Sequence, residues 1–362
     1  MKRIVFTGGG TGGHIIPNIA IIQEIRKKYS DIDILYIGSK KGPEARLIPE
    51  LCIEYKSIAT GKLRRYFSFK NFIDIFKIPI GIFQAFFILQ KFKPNVVFSK
   101  GGYVSFPVMV ASYIMRIPSV LHESDVSPGL ANKLSASMAK VLCLAHNKSK
   151  QYFHPKTKKV VTGNPVRNFI LQGNPKNAYK LTNFSSTVPT ILVMGGSQGA
   201  SRINTVISRA TNHLIKNYQI IHICGKDKIP QTINLPAEFQ NRYKSFDYVN
   251  KALADFYSIT DLVITRAGAN TLAEIEAVKI PAILLPLGKK ASRGDQLINA
   301  AEHQKTHPKS KIIQDEELNA NHLIKVIEET LPFESFKKQK THKEIKNEST
   351  TNIITVLDDF FG

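Results

Sequence analysis

A β-branched and aromatic run that breaks into five glycines, Ile4-Val-Phe-Thr-Gly-Gly-Gly-Thr-Gly-Gly-His14, restricts the possible folds more than any other stretch. Ile15, Ile16, Ile19, Ile22 and Ile25 follow at helical spacing, so the glycines lie between a buried strand and a helix N-terminus. Free N–H groups and the positive end of a helix dipole meet in such a loop, and glycine lets a charged or polar ligand approach the backbone. A lone loop of this kind also opens dinucleotide-binding and many other α/β domains. Near mid-chain, Pro189-Thr-Ile-Leu-Val-Met-Gly-Gly-Ser-Gln-Gly-Ala200 repeats the arrangement, with Ile203, Val206 and Ile207 on the next apolar face. Two such starts, each heading its own series of strands and helices, predict an α/β protein of two Rossmann-like domains facing a cleft.

A chain of 362 residues, 43% hydrophobic and 22% charged, has material for two cores and is not of disordered composition. Cys52, Cys143 and Cys224 sit in apolar settings without metal-type spacing and read as small core residues of a reduced compartment. Met1-Lys-Arg leads straight into a strand, so a cytoplasmic location is expected. Residues 1–163 carry 25 Lys+Arg against 9 Asp+Glu, whereas residues 164–362 carry 25 against 19. The basic excess therefore belongs mainly to the first half, and it implies an anionic partner, either nucleic acid or an acidic membrane surface.

Asp31-Ile-Asp33 has the form of a metal-binding pair, but at the entrance to the strand Ile32–Ile37 it reads as a turn. Between residues 56 and 100 nine basic residues face the single acid Asp74, interleaved with Tyr66, Phe67, Phe69, Phe72, Ile73, Phe76, Ile80, Phe83, Phe86 and Phe87. Asp74, Lys77 and Pro79 interrupt this stretch, and its longest uncharged run, Ile78–Gln90, falls short of the ~20 residues of a span. Part of it must be helix core; the rest, with Arg64, Arg65, Lys70, Phe69, Phe72 and Phe76, suits docking on an anionic bilayer. Lys100-Gly-Gly-Tyr-Val-Ser-Phe-Pro107 is a third glycine loop, and Ser119–Asp125 is a strand with polar residues at its carboxyl end. Residues 168–188 read as linker and surface. Strands follow at Ile191–Met194, Gln219–Cys224, Lys244–Val249, Leu262–Thr265 and Ala282–Leu285, and Thr351–Phe361 reads as an amphipathic helix.

The densest polar constellation is Thr265-Arg-Ala-Gly-Ala-Asn-Thr-Leu-Ala-Glu-Ile-Glu276, followed by Pro286–Asn299. An Arg-x-Gly turn at a helix start can take a phosphate, and a carboxylate one or two turns in can accept two ribose hydroxyls. Glu274 fits that role, or that of a solvated helix carboxylate.

Taken with Gly9-Gly-Thr-Gly-Gly-His14, Gly101-Gly-Tyr-Val-Ser105, His122-Glu123, Gly129-Leu-Ala-Asn-Lys133, Thr162-Gly-Asn-Pro-Val-Arg167 and Gly195-Gly-Ser-Gln-Gly-Ala200, this constellation resembles a known family in motif and order over nearly the whole chain. It is the family of peptidoglycan N-acetylglucosaminyltransferases that make lipid II from lipid I and UDP-GlcNAc. The chain departs from the common family pattern at His122-Glu-Ser-Asp125, at Asp295-Gln296 and at Phe106. The resemblance implies a GT-B fold and inverting transfer without a cofactor or an obligatory metal. It implies an acceptor and membrane-docking domain over residues 1–163, with a C-terminal helix at 347–362 packing back on it, and a UDP-GlcNAc-binding domain over residues 164–346. Donor contacts carry over to Thr11, Gly12, Gly13, Arg167 and Ser197, and also to Gln198, Val249, Arg266, Glu274 and Gln296. The acceptor pyrophosphate falls near Gly10, Gly101, Gly102, Tyr103 and Asp125. The implied partners are lipid I, the anionic cytoplasmic face of the inner membrane and other cell-wall synthesis proteins.

Direct displacement needs a base for the acceptor hydroxyl, and His14 and Glu123 are the candidates. His14 could instead hold the glycine loop, and Glu123 could orient His14 or the acceptor. Three rival classes remain. A UDP-GlcNAc epimerase of the same fold would act without an acceptor, and a diacylglycerol glycosyltransferase would use a different lipid. A nucleic-acid binder would explain the charge but leave the glycine loops unused, and no nucleic-acid motif is present.

Overall fold

The computed structural model describes residues 2–61, 69–196, 199–229, 234–288, 292–336 and 348–361, and these hold thirteen short strands, the central ones being almost unbroken apolar runs. Continuous apolar runs suit parallel strands covered on both faces. The chain divides into two units, Met1–Arg167 with Asn347–Gly362, and Asn168–Lys346.

In the first unit the strands are β1 (Arg3–Thr7), β2 (Asp33–Ser39), β3 (Glu54–Ile58), β4 (Val96–Ser99), β5 (Ser119–Glu123), β6 (Val141–Leu144) and β7 (Lys159–Val161). They pair in parallel in the order β3-β2-β1-β4-β5-β6-β7. Val5 is paired with Leu35 on one side and Val97 on the other, so β1 and β4 sit where the order reverses. Open α/β sheets bind ligands beyond the carboxyl ends of their strands at such a switch point. The loops that follow β1 and β4 are the glycine loops Gly8–Gly13 and Gly101–Gly102.

The second unit repeats the plan with β8 (Thr190–Met194), β9 (Gln219–Ile223), β10 (Tyr243–Phe246), β11 (Leu262–Thr265), β12 (Ala282–Leu284) and β13 (Lys311–Ile312), in the parallel order β10-β9-β8-β11-β12-β13. Its switch point lies between β8 and β11, where the chain enters Gly195–Ala200 and Arg266–Gly268.

The C-terminal helix Glu348–Asp358 buries Ile353, Ile354, Val356 and Leu357 in the first unit's core beside Ile15, Ile22 and Ile25 of the helix Gly12–Lys28. Tyr29 ties it down, donating to Asp358 Oδ1 at 2.6 Å and meeting the Phe361 ring edge-on at 5.6 Å.

Four sequence expectations need correction. Residues 168–188 are not a linker: Asn174 caps the helix Pro175–Thr182 by accepting from Lys176 N at 3.0 Å, and Ala178 and Phe184 are buried. Cys52 is exposed and in the left-handed conformation (φ 53°) that ends the turn Pro49–Leu51, whereas Cys143 and Cys224 are buried. β10 stops at Phe246, leaving Val249 in the loop beyond it.

The fourth concerns the helix Phe69–Phe92, whose stretch Asp74–Phe92 spans 19 residues with mean hydropathy 1.4, enough by length and composition to cross a bilayer. Only one face of it packs on the sheet, and 17% of its most apolar window is buried. Ala85 and Leu89 are buried with Val5, Leu35, Val97 and Val108, and at Gly61 and Gly81 there is no room for a Cβ against the Asp74 and Ala59 carbonyls. The opposite face is exposed: Phe76, Ile80, Phe83 and Phe87, at spacings of four, three and four, form one apolar stripe.

Candidate active site

In the first unit the glycine loop is held by side chains that arrive from neighbouring strands. Tyr36 on β2 donates to Gly8 O at 2.7 Å, and Asn18 Nδ2 donates to Thr7 O at 3.1 Å and to the Tyr36 hydroxyl at 3.0 Å. Glu44, fully buried, accepts from Gly10 N at 3.1 Å through Oε2, and from Ser39 N at 3.1 Å and Ser39 Oγ at 2.5 Å through Oε1. A Cβ on Gly9 would stand 2.5 Å from that carboxylate. Glu44 was missed as a site residue by sequence reasoning. The signal was available, because β2 neighbours β1 and an acid just beyond β2 falls beside the β1 loop. Glu44→Ala is expected to lower the thermal stability of the first unit by about 3 kcal/mol, since it strands two backbone donors that had a charged partner. An unchanged melting profile would show that the carboxylate does not hold the loop.

The loops after β1 and β4 touch. Tyr103 packs over Gly10, whose φ of +81° favours glycine and whose Cβ would lie 2.4 Å from the ring. Gly102, at φ +83°, leaves room for the His14 ring, with Cδ2 3.0 Å and Nε2 3.3 Å from a notional Cβ. His14 Nδ1 lies 3.3 Å from Lys100 O. A carbonyl only accepts, so Nδ1 carries the proton and Nε2 of the neutral ring carries the lone pair. His14 is half-buried, and Thr11 and Gly13 at the same helix start are exposed.

Beneath this loop pair lies a buried polar layer. Glu123, at the end of β5, accepts from Asp125 N at 2.9 Å, Asn132 Nδ2 at 2.9 Å and Gly129 N at 3.2 Å. Both carboxylate oxygens are thus engaged in organising residues 123–132, and it is the Lys100 carbonyl that orients the His14 ring. Burial, reinforced by the Asp125 charge, pushes the Glu123 carboxyl upward. Burial also draws the Lys100 ammonium downward, against the pull of Glu123 and Asp125. Lys100 donates to Ser124 Oγ. His122 donates through Nε2 to Gly163 O at 2.9 Å, and burial followed by the Lys100 charge holds its pKa well below the usual imidazole value. Asn132 is pressed against Gly101, and Asp125 is half-buried at the layer's edge.

The second unit presents a different surface at its switch point. Gly196 and Gly268 have nothing within 4 Å of a notional Cβ, so the backbone there is approachable. Gly268 starts the helix Ala269–Val278, which carries Glu274, 7% exposed. Asn299 reaches from the helix Asp295–Thr306 to Ala267 O at 3.5 Å, and Gln296 Oε1 accepts from Leu287 N at 3.1 Å. The Arg266 guanidinium turns to Leu285 O at 2.8 Å and Asp315 Oδ1 at 2.9 Å, which anchors the turn. Arg167 is half-buried at the end of the first unit. Ser197, Gln198, Arg64 and Arg65 lie outside the described residues, as do the side chains of Phe69, Lys70 and Phe72.

Two parallel-sheet units with glycine loops at both switch points form a fold of the GT-B type, and matches to glycosyltransferase domain models make the chain a glycosyltransferase. The models of the glycosyltransferase family 28 N-terminal and C-terminal domains match residues 4–143 and 190–356, and the chain belongs to that family, within its MurG branch. It is 45% identical over 354 residues to the UDP-N-acetylglucosamine--N-acetylmuramyl-(pentapeptide) pyrophosphoryl-undecaprenol N-acetylglucosamine transferase of Legionella pneumophila (strain Paris), covering 98% of this chain and 95% of that one. A protein of the same name from Clostridium botulinum (strain Langeland) is 44% identical over 90% of each chain. Among solved structures, Acinetobacter baumannii MurG matches with a TM-score of 0.73 at 24% identity over 99% of this chain and 100% of that one. The UDP-GlcNAc 2-epimerase of Methanocaldococcus jannaschii matches with 0.64 at 16% identity, again over 99% and 100%, which shows a shared fold.

Proposed function

We infer that this chain transfers GlcNAc from UDP-GlcNAc to the MurNAc 4-hydroxyl of lipid I, forming lipid II. The observation that carries the reading is the 45% identity, over nearly the full chain, to transferases of that name. The epimerase likeness reaches only the fold.

In this reading the second unit holds the donor. Glu274 accepts the ribose hydroxyls, the Val249 backbone meets the uracil, and the Gly195–Ala200 loop with Ser197 and Gln198 takes the diphosphate at a helix N-terminus. Arg167 and Gln296 complete the donor contacts, and Arg266 keeps the turn before Gly268 in place. The first unit holds the acceptor, with its pyrophosphate at the N–H groups of Gly10, Gly101 and Gly102 beside Tyr103 and Asp125. Thr11, Gly12 and Gly13, at the helix start of the first unit, are read as further donor contacts. The 4-hydroxyl attacks the anomeric carbon as the bond to UDP breaks, the proton passes to His14 Nε2, and fixed N–H donors take up charge on the leaving diphosphate. Glu123 supports this geometry from below by holding residues 123–132. With UDP-GlcNAc and either lipid I or diacylglycerol, only lipid I is expected to gain the sugar. Labelled diacylglycerol, or an altered sugar formed without acceptor, would overturn the assignment.

An acceptor fixed in the cytoplasmic leaflet requires the first unit to dock there, and the stripe Phe76, Ile80, Phe83 and Phe87 supports that reading. Phe76 is 60% and Phe83 65% exposed, and Tyr113 and Ile114 of the helix Phe106–Ile114 are exposed as well. Each Phe contributes about 1.5–3 kcal/mol if fully buried, and basic residues add about 1 kcal/mol each at an anionic surface. Replacing Phe83 and Phe87 by Ser is expected to weaken sedimentation with anionic liposomes at least roughly tenfold. Turnover of a short, water-soluble lipid I analogue should be unaffected. Equal liposome binding by wild type and the double variant would rule out docking through this face. The sequence expectation centred on Arg64, Arg65, Lys70, Phe69 and Phe72 is tested separately by replacing Arg64, Arg65 and Lys70 with Ser.

A further inference from the structure

One cluster of ligating side chains among the described residues takes no part in the transfer chemistry. Glu276 lies on the helix Ala269–Val278, His303 on the helix Asp295–Thr306, and His307 immediately follows the latter. His303 Nδ1 stands 3.0 Å and His307 Nδ1 3.9 Å from Glu276 Oε1, and all three ligand atoms lie within 4.8 Å of one another. The two imidazoles are stacked, with centroids 4.3 Å apart and 8° between their planes. The His303 side chain is 1% exposed, while those of Glu276 and His307 are each 36% exposed, which leaves one side open to solvent.

We propose that Glu276, His303 and His307 form a binding site for a divalent transition metal of the zinc class. Two imidazoles and a carboxylate suit zinc, whereas calcium and magnesium prefer oxygen alone. Tetrahedral zinc with bonds of about 2.0–2.1 Å holds its donors roughly 3.3 Å apart, close to the 3.0 Å and 3.9 Å found. His307 Nδ1 lies 2.9 Å from Thr306 Oγ1 and 3.3 Å from His303 O, so its ring must turn away from these partners to bring the third donor in, with water taking the fourth position.

The surroundings of His303 accommodate the change. Its Nδ1 proton now goes to Glu276, and metal binding moves that proton to Nε2. Ser310 Oγ, 3.3 Å from Nε2, can donate to the first tautomer and accept from the second. Ser310 is itself fixed to the start of β12, because its Oγ accepts from Ala282 N at 3.1 Å. A bound ion would staple together the helices that carry Glu274 and Gln296. The site stands independently of the transfer reading, because its test reads metal binding itself.

The test uses the full-length protein stripped with EDTA and titrated with zinc by calorimetry, and with cobalt by its visible absorption. Wild type is expected to bind one equivalent of zinc, to melt at a higher temperature when loaded, and to give the intense visible bands of tetrahedral cobalt. His307→Ala, whose ring is half-exposed, should keep the fold by circular dichroism and lose affinity at least roughly tenfold. Glu276→Gln, which keeps a hydrogen-bond acceptor for His303, should also lose affinity. Failure of wild type to bind zinc, or binding by both variants with unchanged stoichiometry and affinity, would overturn the proposal and leave the cluster as a hydrogen-bonded link between helices.

Discussion

His14→Ala is expected to lower kcat by roughly 100- to 10,000-fold, the usual cost of losing a general base. UDP affinity, which belongs to the second unit in this account, should stay close to wild type. The reason is the tautomer. Lys100 O, 3.3 Å from Nδ1, holds the ring with Nε2 deprotonated, and Gly102 leaves the space in which that atom sits. Glu123 is the alternative base, but both of its oxygens already accept backbone or amide N–H groups. His14→Asn separates base from brace, because its amide can still reach toward the Lys100 carbonyl yet cannot take a proton near neutrality. Near-wild-type turnover in both variants would reduce His14 to a brace and return the base role to Glu123.

Glu274→Ala is expected to weaken UDP binding roughly a hundredfold or more. Hydrogen bonds from ribose hydroxyls to a carboxylate are each worth about 1.5–3 kcal/mol, and 1.4 kcal/mol is a factor of ten. At 7% exposure the carboxylate has already lost most of its water, so the bonds are not diluted by solvent competition. The KM for UDP-GlcNAc should rise in step, with a smaller change in kcat. Calorimetry that found UDP affinity unchanged in a folded variant would move the nucleotide site elsewhere in the second unit.

Both of these residues stand out in the sequence as candidates because each follows a strand and a glycine turn, which is how a parallel sheet exposes polar groups at its edge. The strands themselves were readable for the same reason, since buried parallel strands such as β1 and β8 are continuous apolar runs. What escaped were features that depend on partners distant in sequence. Glu44 reaches the β1 loop only because β2 lies next to β1. Lys100 is buried and donates to Ser124 because β4 and β5 are neighbours. The helix Phe69–Phe92 is apolar on nearly every side, so no periodicity could tell the face against the sheet from the face left outside. Residues 168–188 looked like a linker because their helix is short and polar, although Asn174-Pro175 was a readable start signal. β13 has only two residues, too few for any pattern.

The most direct measurement of the central claim is the product structure. Incubated with UDP-GlcNAc and a water-soluble lipid I analogue, the full-length protein is expected to form a disaccharide that NMR identifies as GlcNAc joined through a β-linkage to the 4-position of MurNAc, the donor having carried the α-configuration. A product with the α-configuration, attachment at another hydroxyl, or conversion of UDP-GlcNAc to a different UDP-sugar with the acceptor untouched would contradict the account.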